Sequence, residues 1–164
     1  MNLAFQATDE GIWDWQDLDH DHQWWAPKFY MLLGYHPGEI SPSFSQLKTF
    51  IHPEDRAPTL QALEDHLKDR TPFDVACRLK TRSDDYRWFR VRGKSARRNP
   101  DGPLRMVGSI DDITQQKKAE DKFRLVIEAA PAGMLMVDSQ GAIVLVNRRL
   151  SQEFGYASHE LLDK

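Results

Sequence analysis

Two strings in this chain recur at a nearly constant distance, and that repeat constrains the fold more than any other feature. FQATDEGIWD at 5–14 aligns with IEAAPAGMLMVD at 127–138, setting Ala7 on Ala129, Gly11 on Gly133 and Ile12 on Met134. LGYHPGEI at 33–40 aligns with FGYASHEL at 154–161, so that Gly34, Tyr35 and Glu39 recur as Gly155, Tyr156 and Glu160. The separations are 122 and 121 residues. Two blocks that hold one separation to within a residue indicate a tandem pair of related domains. The chain has 164 residues, so the second copy is expected to be truncated, without a counterpart of residues 73–113.

The first copy reads as an α+β unit. Residues 3–8 form a short amphipathic lead-in. Residues 11–17 and 23–26 are rich in strand formers and flank a polar turn. Pro27 suits the first turn of a helix over 27–33, and Gly34 is placed to end it. A short helix follows at 45–51. HPED at 52–55 then starts another: Pro53 fits the first helical position, and Glu54 and Asp55 put negative charge near the positive end of the dipole. Leu60, Leu63 and Leu67 give that helix one apolar stripe. Three segments with period-two alternation close the unit. Phe73, Val75, Cys77 and Leu79 share a face, as do Phe89 and Val91, and Met106, Gly108 and Ile110. NPDG at 99–102 marks the last turn. The expected product is an antiparallel sheet with helices on one side.

Residues 114–130 are read as a connecting helix that Thr114 caps through its hydroxyl. Ile113, Gln116, Glu120, Phe123, Ile127 and Ala130 fall at 3–4 residue spacing, too polar and too short for a strong coiled coil. The boundaries expected are 1–113 for the first domain, 114–130 for the connector and 131–164 for the start of the second.

Composition excludes several classes. Asp and Glu outnumber Lys and Arg by 25 to 22, for a net charge of −3, which provides no global drive towards nucleic acid or an anionic surface. Arg87, Arg90, Arg92, Lys94, Arg97 and Arg98 make a basic strand, but alternation places three of them on the solvent face and no stacking set accompanies them. No nucleic-acid partner is expected. No apolar run nears the ~20 residues of a membrane span, so no direct membrane insertion is expected, and the location is read as cytoplasmic whether or not the parent is membrane-anchored. The single cysteine, Cys77, excludes an intrachain disulfide.

WWAPKFYMLLGYHPGEI at 24–40 resembles the first-helix region of PAS domains of the fold-3 type, and IHPEDRA at 51–57 resembles their middle-helix start. RWFRVRGKSARRNPDGPLRMVGSIDDITQQKKAE at 87–120 is similar to the C-terminal PAC half, with its landmarks Arg87–Trp88, Gly93, Asp101–Gly102, Gly108 and Asp112–Ile113–Thr114. The resemblance implies a PAS fold: a five-stranded antiparallel sheet with short helices on one face and a C-terminal connector helix. It also implies a sensor or relay module of a bacterial two-component signalling protein. That module binds a small molecule or cofactor between sheet and helices and signals to an output domain of the same polypeptide. A histidine kinase is the preferred parent and a diguanylate cyclase the alternative. A ligand-free dimerisation module is the competing reading. The segment itself is expected to be regulatory and not catalytic: it carries no phosphate loop, nucleophile triad or acidic pair.

Candidate residues follow. Phe29, Leu33, Phe44, Leu63, Phe73, Val91 and Met106 are the ligand-pocket candidates, although core packing explains them as well and is the preferred account. Asp112 and Thr114 stand where the last strand becomes the connector and are the relay candidates. Trp13, Trp15 and Trp88 are assigned to the outer sheet face, which the lead-in, the connector or a second subunit is expected to cover. A homodimer through one of those surfaces is expected. No covalent cofactor is expected: Cys77 lies on a strand, outside any string suited to a flavin adduct. Haem through His66 on the middle helix is a disfavoured alternative. The run Asp19, His20, Asp21, His22 has ligand-type residues but sits on a turn where solvation explains it, so no metal is expected.

Overall fold

The computed structural model describes residues 9–69, 71–97 and 102–162. The lead-in at 3–8 and, apart from Gly102, the turn at 99–102 lie outside the described residues. The chain divides into two compact units, Met1–Thr114 and Gln115–Lys164.

The first unit runs β1 (Gly11–Trp15), β2 (Trp24–Trp25), α1 (Pro27–Leu32), α2 (Phe44–Phe50), α3 (Pro53–Asp69), β3 (Phe73–Lys80), β4 (Tyr86–Arg97) and β5 (Leu104–Asp112). The strands form one five-stranded sheet in the order β2-β1-β5-β4-β3, with every neighbouring pair antiparallel. This is the α+β architecture read from the alternation. Phe73, Cys77, Leu79, Phe89, Val91, Met106 and Ile110 are all buried on one face. Phe29, Leu33, Phe50 and Ile51 pack into the same core. Each such large side chain contributes about 1.5–3 kcal/mol when removed from water.

Local chemistry sets the element ends. β1 stops at Trp15, short of the expected 17, because Asp17 turns the chain: its carboxylate accepts the Asp19 N–H at 3.0 Å and its carbonyl the His20 N–H at 3.1 Å. α1 ends before Gly34, whose φ of +84° is the left-handed conformation that glycine tolerates. α2 begins at Phe44 instead of 45 because the Ser43 hydroxyl caps the Gln46 N–H at 3.1 Å. Ile51 leaves the helix to bridge Leu79 on β3.

One face assignment is corrected. Trp13 and Trp15 do share a face, but it is the inner one: Trp13 pairs with Gly108, and Trp15 with Met106. Residues paired across a sheet lie on the same face, and both indoles are buried in the core. The intervening Asp14 points outward instead, to a bidentate pair with Arg105 at 2.9 and 2.5 Å. An indole fits at the centre of the sheet because Gly93 and Gly108 lie beneath it. A Cβ on Gly108 would stand 2.3 Å from Trp13 Cζ2, and one on Gly93 2.9 Å from Cη2. Trp88 does lie on the outer face, where it pairs with Arg78, whose guanidinium carbon is 5.4 Å from the ring.

The second unit contains most of α4 (Thr114–Glu128), then β6 (Leu135–Val137), β7 (Ile143–Val146), α5 (Arg148–Phe154) and α6 (Ser158–Leu161). β6 and β7 form an antiparallel hairpin. Asn147 is wholly buried and fully used. Its Oδ1 accepts from the Met134 and Leu150 N–H groups at 2.8 and 3.0 Å, and its Nδ2 donates to the Ile127 and Ala132 carbonyls at 3.0 Å each.

The sequence repeat has matching local geometry in the two units. A Cβ on Gly11 would stand 2.7 Å from the Phe29 Cα, and one on Gly133 would stand 3.2 Å from the Leu150 Cα. Gly34 and Gly155 both take positive φ. The Glu39 carboxylate accepts the His36 N–H at 2.7 Å, and the Glu160 carboxylate accepts the Ala157 N–H at 2.7 Å.

Candidate functional site

Between the inner face of the first unit's sheet and its helices lies a cavity of about 40 Å³. Five of the seven pocket candidates line it: Phe44 from α2, Leu63 from α3, Phe73 from β3, Val91 from β4 and Met106 from β5. Phe29 in α1 and Leu33 at its C-terminal end do not; both are fully buried core residues. Trp13, Trp15, Gln23, Thr59 and Cys77 also line it, together with Leu47, Ile51, Leu60, Leu79 and Ile110, and were missed. For the two tryptophans the signal was available in Asp14: a charged residue between two indoles takes the outer face of the sheet, so the indoles take the inner one.

The wall carries almost no polarity. Gln23 is buried and spends its Oε1 on the Trp25 indole N–H at 2.8 Å. Burial pushes the Cys77 thiol up to about 12, so it stays a neutral thiol. Among the described residues, Trp13 Nε1 is the buried side-chain polar atom without a hydrogen-bond partner. Leaving such a donor unsatisfied costs about 1–3 kcal/mol.

Haem does not fit this site. His66 is not in the cavity wall, and both of its ring nitrogens are engaged. Nδ1 bonds the Thr71 carbonyl, and Nε2 accepts the Ser95 N–H at 3.1 Å. The volume is also far below the roughly 300 Å³ at which pockets for larger ligands begin. The acidic–histidine turn is likewise engaged in structure. His20 Nδ1 meets the Asp17 carboxylate at 2.9 Å, and the Asp21 carboxylate accepts the Ser45 N–H at 2.8 Å. No group of three His, Cys, Asp or Glu side chains is placed to hold a metal among the described residues.

The relay candidates meet at the exit of the sheet. Asp112 Oδ1 accepts the Thr114 N–H at 2.9 Å, so the carboxylate satisfies the first donor of α4. The Thr114 hydroxyl, expected to cap the helix, instead accepts the Trp88 N–H of β4 at 3.1 Å. The Ile113 N–H donates to the Trp88 carbonyl at 2.9 Å, and Arg87 stands 3.9 Å from the Asp112 carboxylate. Asp112, Thr114 and the backbone of Trp88 thus form one latch between two strands and the helix start. On the outer face, the basic row is matched by acids: Arg90 binds Asp74 at 2.8 and 2.5 Å, and Arg92 binds Glu10.

The profile of the PAS fold matches residues 22–110. The chain belongs to the PAS family. A second profile, described as PAS domain, matches residues 121–164. A sensory box histidine kinase/response regulator from Burkholderia thailandensis superposes with a TM-score of 0.65 at 37% identity, covering 76% of this chain and 92% of that one. Sensor protein FixL of Bradyrhizobium diazoefficiens is 25% identical over 99% of this chain and 33% of its own length. The probable diguanylate cyclase DgcE of Escherichia coli is 22% identical over 99% of this chain and 15% of its own length. The chain spans 36% of the length of the first curated relative it matches and 19% of the second. This PAS segment is therefore a sensor-type signalling module, and no helix among its described residues is long and apolar enough to cross a membrane.

Proposed function

We propose that residues 1–113 are a PAS/PAC input domain that passes a change in its sheet–helix cavity to a histidine kinase output, with 114–130 as the connector and 131–164 opening a second PAS domain. The latch at Asp112 and Thr114 carries this reading. β5 supplies Met106 to the cavity wall and ends at Asp112, the residue whose carboxylate takes the first N–H of α4. A shift of β5 thus pulls on the start of the connector. Replacing Asp112 with alanine in the full-length protein is expected to lower the response to stimulus at least tenfold while leaving the fold intact. A normal response from a folded D112A protein removes the relay role. A diguanylate cyclase output is the alternative, and assay of the full-length protein for autophosphorylation or cyclic dinucleotide synthesis separates the two.

A ligand-free dimerisation module is a second reading. Phe123, Leu125 and Val126 on α4 are exposed, and exposed apolar rows favour association. On this reading the mass measured by sedimentation rises with concentration, and Val126→Asp abolishes the rise. A mass that stays monomeric at high concentration rejects it.

A further inference from the structure

The latch at Asp112 and Thr114 is reached from α3 as well as from β5. We infer that Arg78 and Trp88 form a second arm of the relay, which carries a displacement of α3 to the same junction; the inference rests on the reading that this junction passes the signal. The arm begins in the cavity wall, to which α3 supplies Thr59, Leu60 and Leu63. One turn before Thr59, the start of α3 is clamped to the edge strand β3 at a single residue. The Asp55 carboxylate accepts the Arg78 backbone N–H at 2.8 Å, Nε–H at 2.9 Å and Nη2–H at 2.7 Å. The Glu54 carboxylate accepts from Nη2 at 2.8 Å, and the Arg78 carbonyl accepts the His52 N–H at 2.9 Å. Both backbone groups of Arg78 are therefore turned away from β4, towards the start of α3.

Arg78 sits opposite Trp88 on β4, and the backbone groups of Trp88 point the other way. Its N–H donates to the Thr114 hydroxyl at 3.1 Å, and its carbonyl accepts the Ile113 N–H at 2.9 Å. Arg78 and Trp88 are thus a non-hydrogen-bonded pair, the kind in which facing side chains come closest. The direct link between these two residues is the guanidinium, its carbon 5.4 Å from the indole ring. A planar guanidinium can hold a carboxylate in its plane while its face lies on a ring, which an ammonium cannot do. A shift at the start of α3 therefore moves the guanidinium over the indole, and with it the residue that holds Thr114. The β5 route enters the junction at Asp112, and the α3 route enters it at Trp88. The cation–π contact is the weakest link of the arm, so it limits the coupling to about two- to fivefold in the opening of the junction.

The test is native-state hydrogen exchange on this chain, read at the Trp88 and Ile113 amides, whose bonds make the junction. Opening is taken in excess of global unfolding, which the Gly108 amide reports from its pairing with Trp13 at the sheet centre. Asp55→Asn loosens the start of α3 without touching the junction, and Trp88→Leu removes the ring while keeping its backbone. D55N is expected to raise the opening of both amides about two- to fivefold in the wild-type background, and to leave it unchanged in the W88L background. Coupling is reciprocal, so W88L is expected to raise the opening of the His52 and Arg78 amides by a similar factor. That measurement decides alone if the double variant does not fold. Exchange that rises in D55N at His52 and Arg78 but not at Trp88 and Ile113 makes Arg78 a local staple and overturns the arm. An equal effect of D55N in both backgrounds also overturns it, because the coupling then bypasses the ring. A normal stimulus response from full-length D112A, with the coupling intact, strikes the reading on which the inference rests; lost coupling beside a defective D112A strikes the arm alone.

Discussion

Replacing Gly108 with alanine is expected to destabilise the first unit by about 3 kcal/mol, at the upper end of the cost of overpacking. The added Cβ would stand 2.0 Å from the Arg92 carbonyl oxygen, 2.3 Å from Trp13 Cζ2 and 2.6 Å from Trp13 Cε2. The carbonyl belongs to the neighbouring strand, and the indole is wedged in the core, so neither has a cheap way to yield. Moving the carbonyl breaks the β4–β5 register where Arg92 faces Ser109. Gly93 provides the contrast on the adjoining strand. Its added Cβ would meet the terminal methyl of Met106 at 2.7 Å and the rim of the Trp13 ring at 2.9 Å, and a methionine end can rotate away. Gly93→Ala is therefore expected to cost only about 1 kcal/mol. Urea denaturation checks the order. With a slope near 1.5 kcal/mol/M, the Gly108 variant's midpoint falls by about 2 M, and the Gly93 variant's by less than about 1 M. Equal midpoints for the two variants would show that the trough beneath Trp13 is not tightly filled.

The same trough shows where sequence reasoning succeeded and where it stopped. The alternation of β3, β4 and β5 was legible because each strand has one nearly continuous apolar face, and the period of two allows a single assignment of faces. β1 offered bulk on both faces, with Ile12 on one and two indoles on the other. A large aromatic was read as surface cover because nothing in a linear string shows that two glycines, 80 and 95 residues downstream, make room beneath it. Pairing Trp13 with Gly108 is a tertiary fact. The cavity was half legible for a related reason. Candidates on the strands, α2 and α3 line it, whereas Phe29 in α1 and Leu33 at its C-terminal end turn into the core away from it. The direction of a six-residue helix is set by its packing more than by its pattern. His66 followed the same logic. Its position on α3 was readable, but the Thr71 carbonyl and the Ser95 N–H that hold its ring come from a loop and a distant strand.

The relay junction reverses the usual order of inference. Asp112 and Thr114 were picked from their place at the end of a strand, and the roles first assigned to them changed once their partners were visible. A threonine at the start of a helix is a capping signal. Here Asp112, two residues earlier, takes the Thr114 N–H, which frees the hydroxyl to hold β4. The cap and the strand contact therefore act as one unit. Loss of either side chain loosens the same junction, and for that reason the two are expected to behave non-additively in a double-mutant cycle.

Replacing Asp55 with asparagine is expected to cost the first unit about 2 kcal/mol at pH 7, and the cost should fade in acid. Asp55 lies in the first turn of α3, and its side chain is only 16% exposed. One carboxylate oxygen accepts the Arg78 backbone N–H at 2.8 Å and Nε–H at 2.9 Å; the other accepts from Nη2 at 2.7 Å. Bonds to a charged partner are worth about 1.5–3 kcal/mol each in the favourable case. An asparagine keeps one acceptor and turns an NH2 towards the guanidinium. Glu54 also reaches Arg78 at 2.8 Å but is 74% exposed, and an exposed ion pair of that kind makes little difference to stability. The hydrogen bonds from the Arg78 guanidinium hold the Asp55 carboxyl below its usual range. The sign follows from linkage. A carboxyl depressed in the folded state contributes its full stability above the unfolded value of about 3.9 and loses it as the pH falls through the folded value. Wild type and D55N should therefore differ by about 2 kcal/mol from pH 7 down to pH 5, and their urea midpoints should converge below about pH 4 as the wild-type carboxyl takes up its proton. A gap that stays constant down to pH 3 would show that the Asp55–Arg78 contact acts through shape and not through charge.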